Sequence, residues 1–476
     1  MEKSPVLMYS IAIKIKKNGV SMRKKSNYLS GTIGKTMLKT ALSMLPGTIA
    51  VSGYNLADTY FVSRLGTLPL AAMGFTFPVI MILGCIFHGL GVGVMATVAH
   101  AVGGAKSTKA AKLVTSGMLL VVLVSAILGL IGFMTLDWTF QQLGAEGAVC
   151  VPIAEYMNIW YLGCVTGAIG MVGNSLLVAV GDSKLAGFFM MLGLVFNVLL
   201  DPLFIFDWGW GMGIAGAALA TIISQFLSLI LILTALHKRH HFLKFAVIKE
   251  KRVVRSAWKQ IVRFALPSML GMILMPAGNG VITRIVAYFG DSAVAATAAA
   301  GRLEAVAFML PMSLGIGLMP MIAQNYGARL YSRIIGCRKF AMQFAFYYLL
   351  GMALIYFMLA PWMVKFFTND PEVARIMTAY LRIVPWGFAF IEIHRYSGFF
   401  FTGCDYPHGS AWLSALRILV LLIPLSLLAL MLKSLNGLFV ARFAADLLAG
   451  SIGWLLVIRM NEKLPADGEL AVRRGK

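Results

Sequence analysis

The sequence predicts an all-α integral membrane protein of twelve transmembrane helices, set as two six-helix bundles related by a pseudo-twofold axis along the membrane normal. Three observations predict it: an apolar content far above that of soluble chains, twelve stretches of spanning length, and a second half that repeats the first. Of 476 residues 59% are hydrophobic, about 280 in all, where soluble domains hold roughly 45–50% even with glycine counted. At roughly 20 apolar residues per spanning helix, this is material for about twelve. Charged residues make up only 13%, yet the net charge is +22, so the position of the lysines and arginines decides what that charge is for.

The apolar stretches fall near 37–62, 70–101, 110–135, 152–180, 185–206 and 213–236, then near 260–289, 293–326, 340–368, 374–402, 408–432 and 436–458. This organises the chain as a basic tail (1–36), a six-helix lobe (37–236), a basic linker (237–259), a second lobe (260–458) and a tail (459–476). If every stretch spans, the basic residues share one side: Lys14, Lys16 and Lys17 of the first tail, Lys106, Lys109 and Lys112, the linker's Lys238 to Lys259, and Arg329 to Lys339. The alternate connections hold Asp137, Glu146, Asp207, Asp291, Asp370 and Glu372. By the positive-inside rule both termini are cytoplasmic and the acidic loops face out, which places the protein in the cytoplasmic membrane as a multi-pass chain. Basic residues dispersed beside anionic headgroups also exclude a nucleic-acid partner.

The first 36 residues lack the apolar core and cleavage site of a signal peptide and read as a cytoplasmic tail that starts at Met1 or Met22. The run Gly31-Thr32-Ile33-Gly34-Lys35-Thr36 lacks the first glycine of a phosphate-binding loop and no strand precedes it, so ATP is not expected as energy source. His237, His240 and His241 read as interfacial side chains and not as metal ligands. Cys85, Cys150, Cys164, Cys337 and Cys404 are scattered through apolar segments and read as packing residues.

A constant shift of 224 lays Gly66 on Gly290, Gly91 on Gly315, Gly93 on Gly317, Ala99 on Ala323 and Gly103 on Gly327; a shift of 222 lays Gly181 on Gly403, Gly187 on Gly409 and Pro202 on Pro424. Each half crosses an even number of times, so the copies are parallel, and a cleft between them is the natural place for alternating access. Pro46 and Pro267, early in the first helix of each half, and Pro202 are hinge candidates or tolerated kinks.

An ionisable group near the bilayer centre costs roughly 2.5–3.5 kcal/mol, which makes such residues functional candidates. Asp58 lies in the first helix with Asn55 three residues back; Asp201 lies in the fifth with Asn197 one turn earlier on the same face. Pro202 offers no N–H to the Val198 carbonyl and so frees an oxygen close to the Asp201 carboxylate. Both carboxylates fall in the outer half of the membrane, and two such groups cannot both ionise cheaply unless a cation sits between them. The alternative is structural: Asp201 caps a helix end and Asp58 pairs with Arg64. The second half carries Ile282 and Ile423 where the shifts would put these acids, so ion coupling is expected in one lobe. That half has its own polar set, Arg302, Glu304, Glu392, His394, Arg395 and Arg417, which either forms structural ion pairs or lines a substrate route.

The run Tyr54-Asn55-Leu56-Ala57-Asp58-Thr59 with Arg64-Leu65-Gly66, the segments Asn197 to Pro202 and Gly213 to Thr221, and Arg302-Leu303-Glu304 followed by Gln324-Asn325-Tyr326-Gly327-Ala328 together resemble the multidrug and toxic compound extrusion (MATE) family, from about residue 37 to 458. The resemblance implies two bundles around a V-shaped cleft and secondary antiport that expels organic, often cationic compounds against inward flow of H+ or Na+. Its DinF-like branch would make Asp58, Asn197, Asp201 and Thr221 the cation site, with Tyr156 and Asn174 in the surrounding polar network. The carboxylate that other branches carry on the seventh helix has no counterpart near 260–289, which leaves Glu304 or Glu392 as substitutes there.

The expected function is therefore multidrug efflux by an ion-coupled antiporter with small organic substrates, no cofactor, no metal beyond a possible Na+, no ATP, and a monomeric state. A lipid-linked oligosaccharide flippase of the wider superfamily is the rival among transporters. A membrane-embedded lipid-modifying enzyme is the rival from another class, and the chain shows no nucleophile with its base at the aqueous boundary to support one.

Overall fold

A computed structural model of the chain describes residues 27–469. The basic residues of the first 26 positions, the choice between Met1 and Met22, and the last residues of the second tail lie outside the described residues. Among the described residues every regular element is helical. The first bundle comprises α1 (Ile33–Ser63), α2 (Thr67–Gly103), α3 (Ser107–Met134), α4 (Cys150–Ala179), α5 (Ser183–Ile205) and α6 (Gly213–Thr234). The second comprises α7 (Lys251–Ala287), α8 (Asp291–Gly327), α9 (Tyr331–Val364), α10 (Pro371–Gly403), α11 (Pro407–Met431) and α12 (Leu435–Asn461).

Eleven of these are long and apolar enough to cross a membrane. The exception is α1, 31 residues long, whose uncharged stretch 40–57 is diluted by Thr40, Ser43, Pro46, Gly47, Thr48, Ser52, Gly53, Tyr54 and Asn55. It spans as part of the bundle, with one flank on the first lobe and the other on the second. Helices α7 and α9 start at 251 and 331, earlier than hydropathy suggests, because Lys and Arg dilute an apolar window while remaining good helix formers. Helices α1, α5 and α7 run unbroken through Pro46, Pro202 and Pro267. Helix α10 tightens into a 3₁₀ turn over Val384–Gly387, and α11 widens into a π-type stretch over Leu416–Leu422. Wide stretches of this kind often mark functional or packing sites.

The apolar cores show how the lobes meet. At the end that bears the basic loops the core is shared: Val94, Ala99 and Val102 of α2 pack in one cluster with Ile261, Ala265, Met319 and Ala323 of the second lobe. A neighbouring cluster joins Met37 and Ala41 of α1 to Leu314 and Leu318. At the acidic-loop end there are two separate cores, one around Tyr156, Met157 and Ile205 and one around Tyr380, Phe388 and Phe439. The lobes are therefore fused at the basic end and part toward the acidic end, which leaves a V-shaped cleft open on that side.

The fused end is built on the repeat. A Cβ on Gly103 would lie 1.9 Å from the Gln324 carbonyl oxygen, and one on Gly327 would lie 2.2 Å from that of His100. Gly103 and Gly327 are equivalent under the shift of 224, and so are His100 and Gln324. The crossing of α2 over α8 is thus a self-complementary contact around the pseudo-twofold axis, of the kind that a two-fold interface requires. Around it His100 Nε2 lies 2.7 Å from the Gly403 carbonyl oxygen, and Gln324 donates to the Ala179 carbonyl oxygen at 2.6 Å. Arg333 donates to the carbonyls of Tyr28 and Gly31, tying the start of the described chain under the second lobe. Of the linker histidines, His240 pairs with Asp182 at 3.3 Å.

Candidate functional site

Three glycines bring α1 and α5 together. A side chain on Gly187 would strike the Ser43 carbonyl oxygen, while Gly47 and Gly53 accommodate Met190 and Leu194. Small residues let helix backbones approach closely where lipid gives no hydrophobic drive. One consequence is that the polar residues farther along both helices come within bonding distance.

There Asn197 is the hub. Its Nδ2 lies 3.2 Å from Asp58 Oδ1, 3.2 Å from Asp201 Oδ1 and 3.2 Å from Thr221 Oγ1. Thr221 in turn donates to Asp58 Oδ2 at 3.3 Å. All four are buried, Asn197 and Asp201 completely. An amide has two N–H donors, so three oxygens share them. Asn197 Oδ1 and Asp201 Oδ2 take no hydrogen bond from any described residue. No basic residue pairs with either acid among the described residues. Arg64, the structural alternative for Asp58, instead donates to Tyr60 Oη at 3.0 Å and stacks on its ring, and Asp201 sits inside α5, which ends beyond it at Ile205. What the cluster offers chemically is a buried set of oxygens with two carboxylates and no counter-charge among the described residues. A proton or a small hard cation bound among those oxygens would supply it.

The supporting residues divide. Tyr156 is buried on α4, in the apolar cluster that also holds Val62 of α1 and Ile205 of α5. Asn174 lies eighteen residues farther along α4, about 27 Å at ~1.5 Å per residue, so it does not reach the cluster. Asn55 is exposed and its amide bonds to the Val51 carbonyl of its own helix at 3.2 Å. Residues three apart on a helix still differ by ~60°, enough for Asp58 to face the lobe and Asn55 the cleft.

In the second lobe Glu304 is held by Arg442 of α12 and by the Tyr380 hydroxyl at 2.8 Å. Glu392 is wholly buried with Arg395 3.0 Å from one oxygen, and His394 is buried beside them on α10. Arg417, on the wide stretch of α11, is bound to Asp446 through Nε at 2.8 Å and through Nη2 at 2.7 Å. Arg302 is exposed and forms no ion pair among the described residues. The second-lobe set therefore splits into ion pairs inside the lobe, the buried His394, and Arg302, unpaired among the described residues. Sequence reading overlooked Arg442 and Asp446, although an ionisable residue inside the last apolar stretch is the same signal that singles out Asp58. Because Asp446 Oδ2 already lacks a partner, Arg417→Ala should strand a buried carboxylate and cost about 3–5 kcal/mol, the usual loss when one member of a buried pair is removed. Thermal unfolding in detergent checks this, and Arg417→Ala with Asp446→Ala should recover much of the loss.

The sequence model described as MatE matches residues 45–203 and again residues 267–428; the two matches start 222 positions apart, in register with the internal repeat. A protein of Shewanella oneidensis named FAD transporter is 32% identical over 449 residues, covering 94% of this chain and 99% of that one. The multidrug export protein MepA of Staphylococcus aureus is 25% identical over 441 residues, covering 91% and 95%. The crystal structure of the Vibrio cholerae MATE transporter VcmN in its bent form superposes with a TM-score of 0.86 at 28% identity, covering 90% of this chain and 97% of that one. With twelve helices in two repeated lobes around an open cleft, the chain belongs to the MatE family of multi-pass membrane transporters and is not an enzyme.

Proposed function

We propose that the chain is a secondary antiporter of the cell membrane that exports small organic compounds in exchange for H+ or Na+ entering through the Asp58–Asn197–Asp201–Thr221 cluster. The observation that carries this reading is the pair of buried carboxylates sharing one amide with no basic partner. Each ion bound there relieves a charge that the lobe otherwise leaves uncompensated, so occupancy is strongly favoured. The uncommitted oxygens of Asn197 and Asp201 suit Na+, and either carboxylate suits a proton. The ion drives transport only if it binds the inward-open and outward-open states unequally. Helix α1 is the element that links the two events, because it carries Asp58 on the side facing α5 and packs against α8 at the floor of the cleft, with Thr48 Oγ1 2.8 Å from Ser313 Oγ.

The basic end is the cytoplasmic one on this reading, both termini included, and the cleft opens outward. Neither ATP nor a cofactor takes part, and one chain contains the whole route. The names of the relatives, a multidrug exporter and an FAD transporter, support cargo among small organic molecules. Proteoliposomes loaded with a fluorescent cargo, ethidium and FMN in turn, should show accelerated flux when either a pH gradient or a sodium gradient is imposed alone. Flux indifferent to both gradients would exclude the antiport reading.

A further inference from the structure

Four helices line the cleft, and the contacts that close its floor fix which faces look into it. Residues seven or eleven apart on an α-helix differ in direction by only ~20°. On α1, Thr48 touches Ser313 across the floor, and Asn55, seven residues nearer the opening, is exposed on the same face. On α8, Arg302 precedes Ser313 by eleven residues and is exposed, and beside it a Cβ on Gly301 would meet nothing. On α7, Asn279 follows by seven residues the Met272 whose carbonyl accepts from Cys85 across the floor at 3.7 Å, and it too is exposed. On α2, His88 precedes Ala99 of the shared core by eleven residues and is exposed, with Met81 and Phe77 continuing the same column at 40% and 53% exposure.

Arg302 lies about 16 Å along α8 from its outer end at ~1.5 Å per residue, half the depth of a hydrocarbon core of roughly 30 Å. A guanidinium at that depth belongs in a water-filled cleft and not against lipid. Apart from the fused basic end (Lys35, Lys39, His100 and Lys251 to Arg263) and the outer ends of α7 and α8 (Arg284 and Asp291), these four helices carry four charged or imidazole side chains: Asp58, His88, Arg302 and Glu304. Asp58 is buried in its lobe and Glu304 is bound to Arg442. The fixed charge that the cleft presents to its contents is therefore one positive charge, flanked by neutral donors and an aromatic and thioether column.

Resting on the export reading above, we propose that the preferred cargo is a soluble organic anion. Its phosphate or carboxylate is held by Arg302, its polar groups by Asn55, Asn279 and His88, and its planar part by Phe77 and Met81. A guanidinium meets such an oxyanion with two parallel hydrogen bonds, and a planar ring packs on an aromatic face at little entropic cost. An organic cation would be repelled by the one charge it meets.

The test uses the purified full-length chain and three fluorescent probes: FMN, riboflavin, which is the same ring system without the phosphate, and ethidium, a planar cation. FMN is expected to bind at least tenfold more tightly than riboflavin. Arg302→Gln should weaken FMN tenfold or more while leaving riboflavin unchanged, and Arg302→Lys should recover part of the loss. Riboflavin binding in each variant reports that the cleft is still folded. Equal affinity for FMN and riboflavin, tighter binding of ethidium, or FMN binding indifferent to Arg302→Gln would overturn the proposal. Arg302-dependent translocation of a fluorescent phosphatidylglycerol with no FMN binding would overturn it in favour of a lipid cargo. Gradient-driven ethidium flux without FMN binding would refute the anion proposal and leave the export reading intact; no driven flux of any probe would count against that reading.

Discussion

Asp58→Asn and Asp201→Asn should each reduce gradient-driven transport at least a hundredfold, to the background of empty vesicles, while cargo still binds. Asparagine keeps the size of the side chain and can still bond to Asn197 or Thr221, so the packing of α1 on α5 through Gly47, Gly53 and Gly187 is retained. What disappears is one of the two carboxylates whose mutual repulsion makes the cluster respond to an ion. The variant resembles a cluster already loaded at one acid, and an ion whose binding is weakened in this way no longer shifts the balance between access states. Because the two acids share one amide, the losses should not add: the double variant should be about as inactive as either single one. Thr221→Val removes a hydroxyl that donates to Asp58 at 3.3 Å and accepts from Asn197 at 3.2 Å, and should cost roughly tenfold to a hundredfold, in line with loss of a hydrogen bond to a charged group worth roughly 1.5–3 kcal/mol. Flux measured in proteoliposomes with cargo binding measured on the same preparations separates coupling from cargo affinity. Wild-type driven flux in Asp58→Asn would remove the cluster from the coupling mechanism.

Most of the fold could be read in the sequence because the bilayer imposes one requirement on every helix, an apolar length of about 20 residues, and because the repeat tests the count a second time. Where basic residues extend a helix beyond the hydrocarbon, as in α7 and α9, hydropathy reports the membrane boundary and not the helix end. The core of the cluster was legible for a related reason. Charge at membrane depth is rare enough to stand out, and the spacing of Asn197 and Asp201 puts both on one face. Asn55 was not, since membrane helices are apolar on nearly every side and periodicity gives little indication of which face of α1 meets α5. Asn174 and Tyr156 stand eighteen residues apart on one helix, a spacing readable in the sequence that is too long for both to reach one small site. Arg442 and Asp446 were missed although the depth criterion applies to them as it does to Asp58.

Gly103 was legible only as one of several repeated glycines, yet the structure gives it the largest expected conformational effect. A methyl group there would meet the oxygen of Gln324 at 1.9 Å and its carbonyl and Cα carbons at 2.6 Å. These are backbone atoms, so no rotamer change relieves the clash, and α2 and α8 must separate. Overpacking commonly costs about 1–3 kcal/mol where side chains can give way, and here they cannot. Each ~1.4 kcal/mol taken from the closed floor is a tenfold shift toward states in which it is open. Among the described residues the lobes share a core only at the floor, so Gly103→Ala should populate a form accessible from the basic side and suppress driven transport. A cysteine introduced at Ala99, fully buried in that floor, in a background without the native cysteines, provides the readout. It should resist a membrane-impermeant maleimide in the parent and react from the basic side once Gly103→Ala is added. Gly74→Ala, whose methyl group would meet nothing within 4 Å, is the control and should change neither labelling nor flux. If the thiol at position 99 stays protected in Gly103→Ala and transport continues, the α2–α8 crossing is not the seal. The symmetric change, Gly327→Ala against the His100 carbonyl, should have a similar effect, because the two contacts are copies of one another across the pseudo-twofold axis.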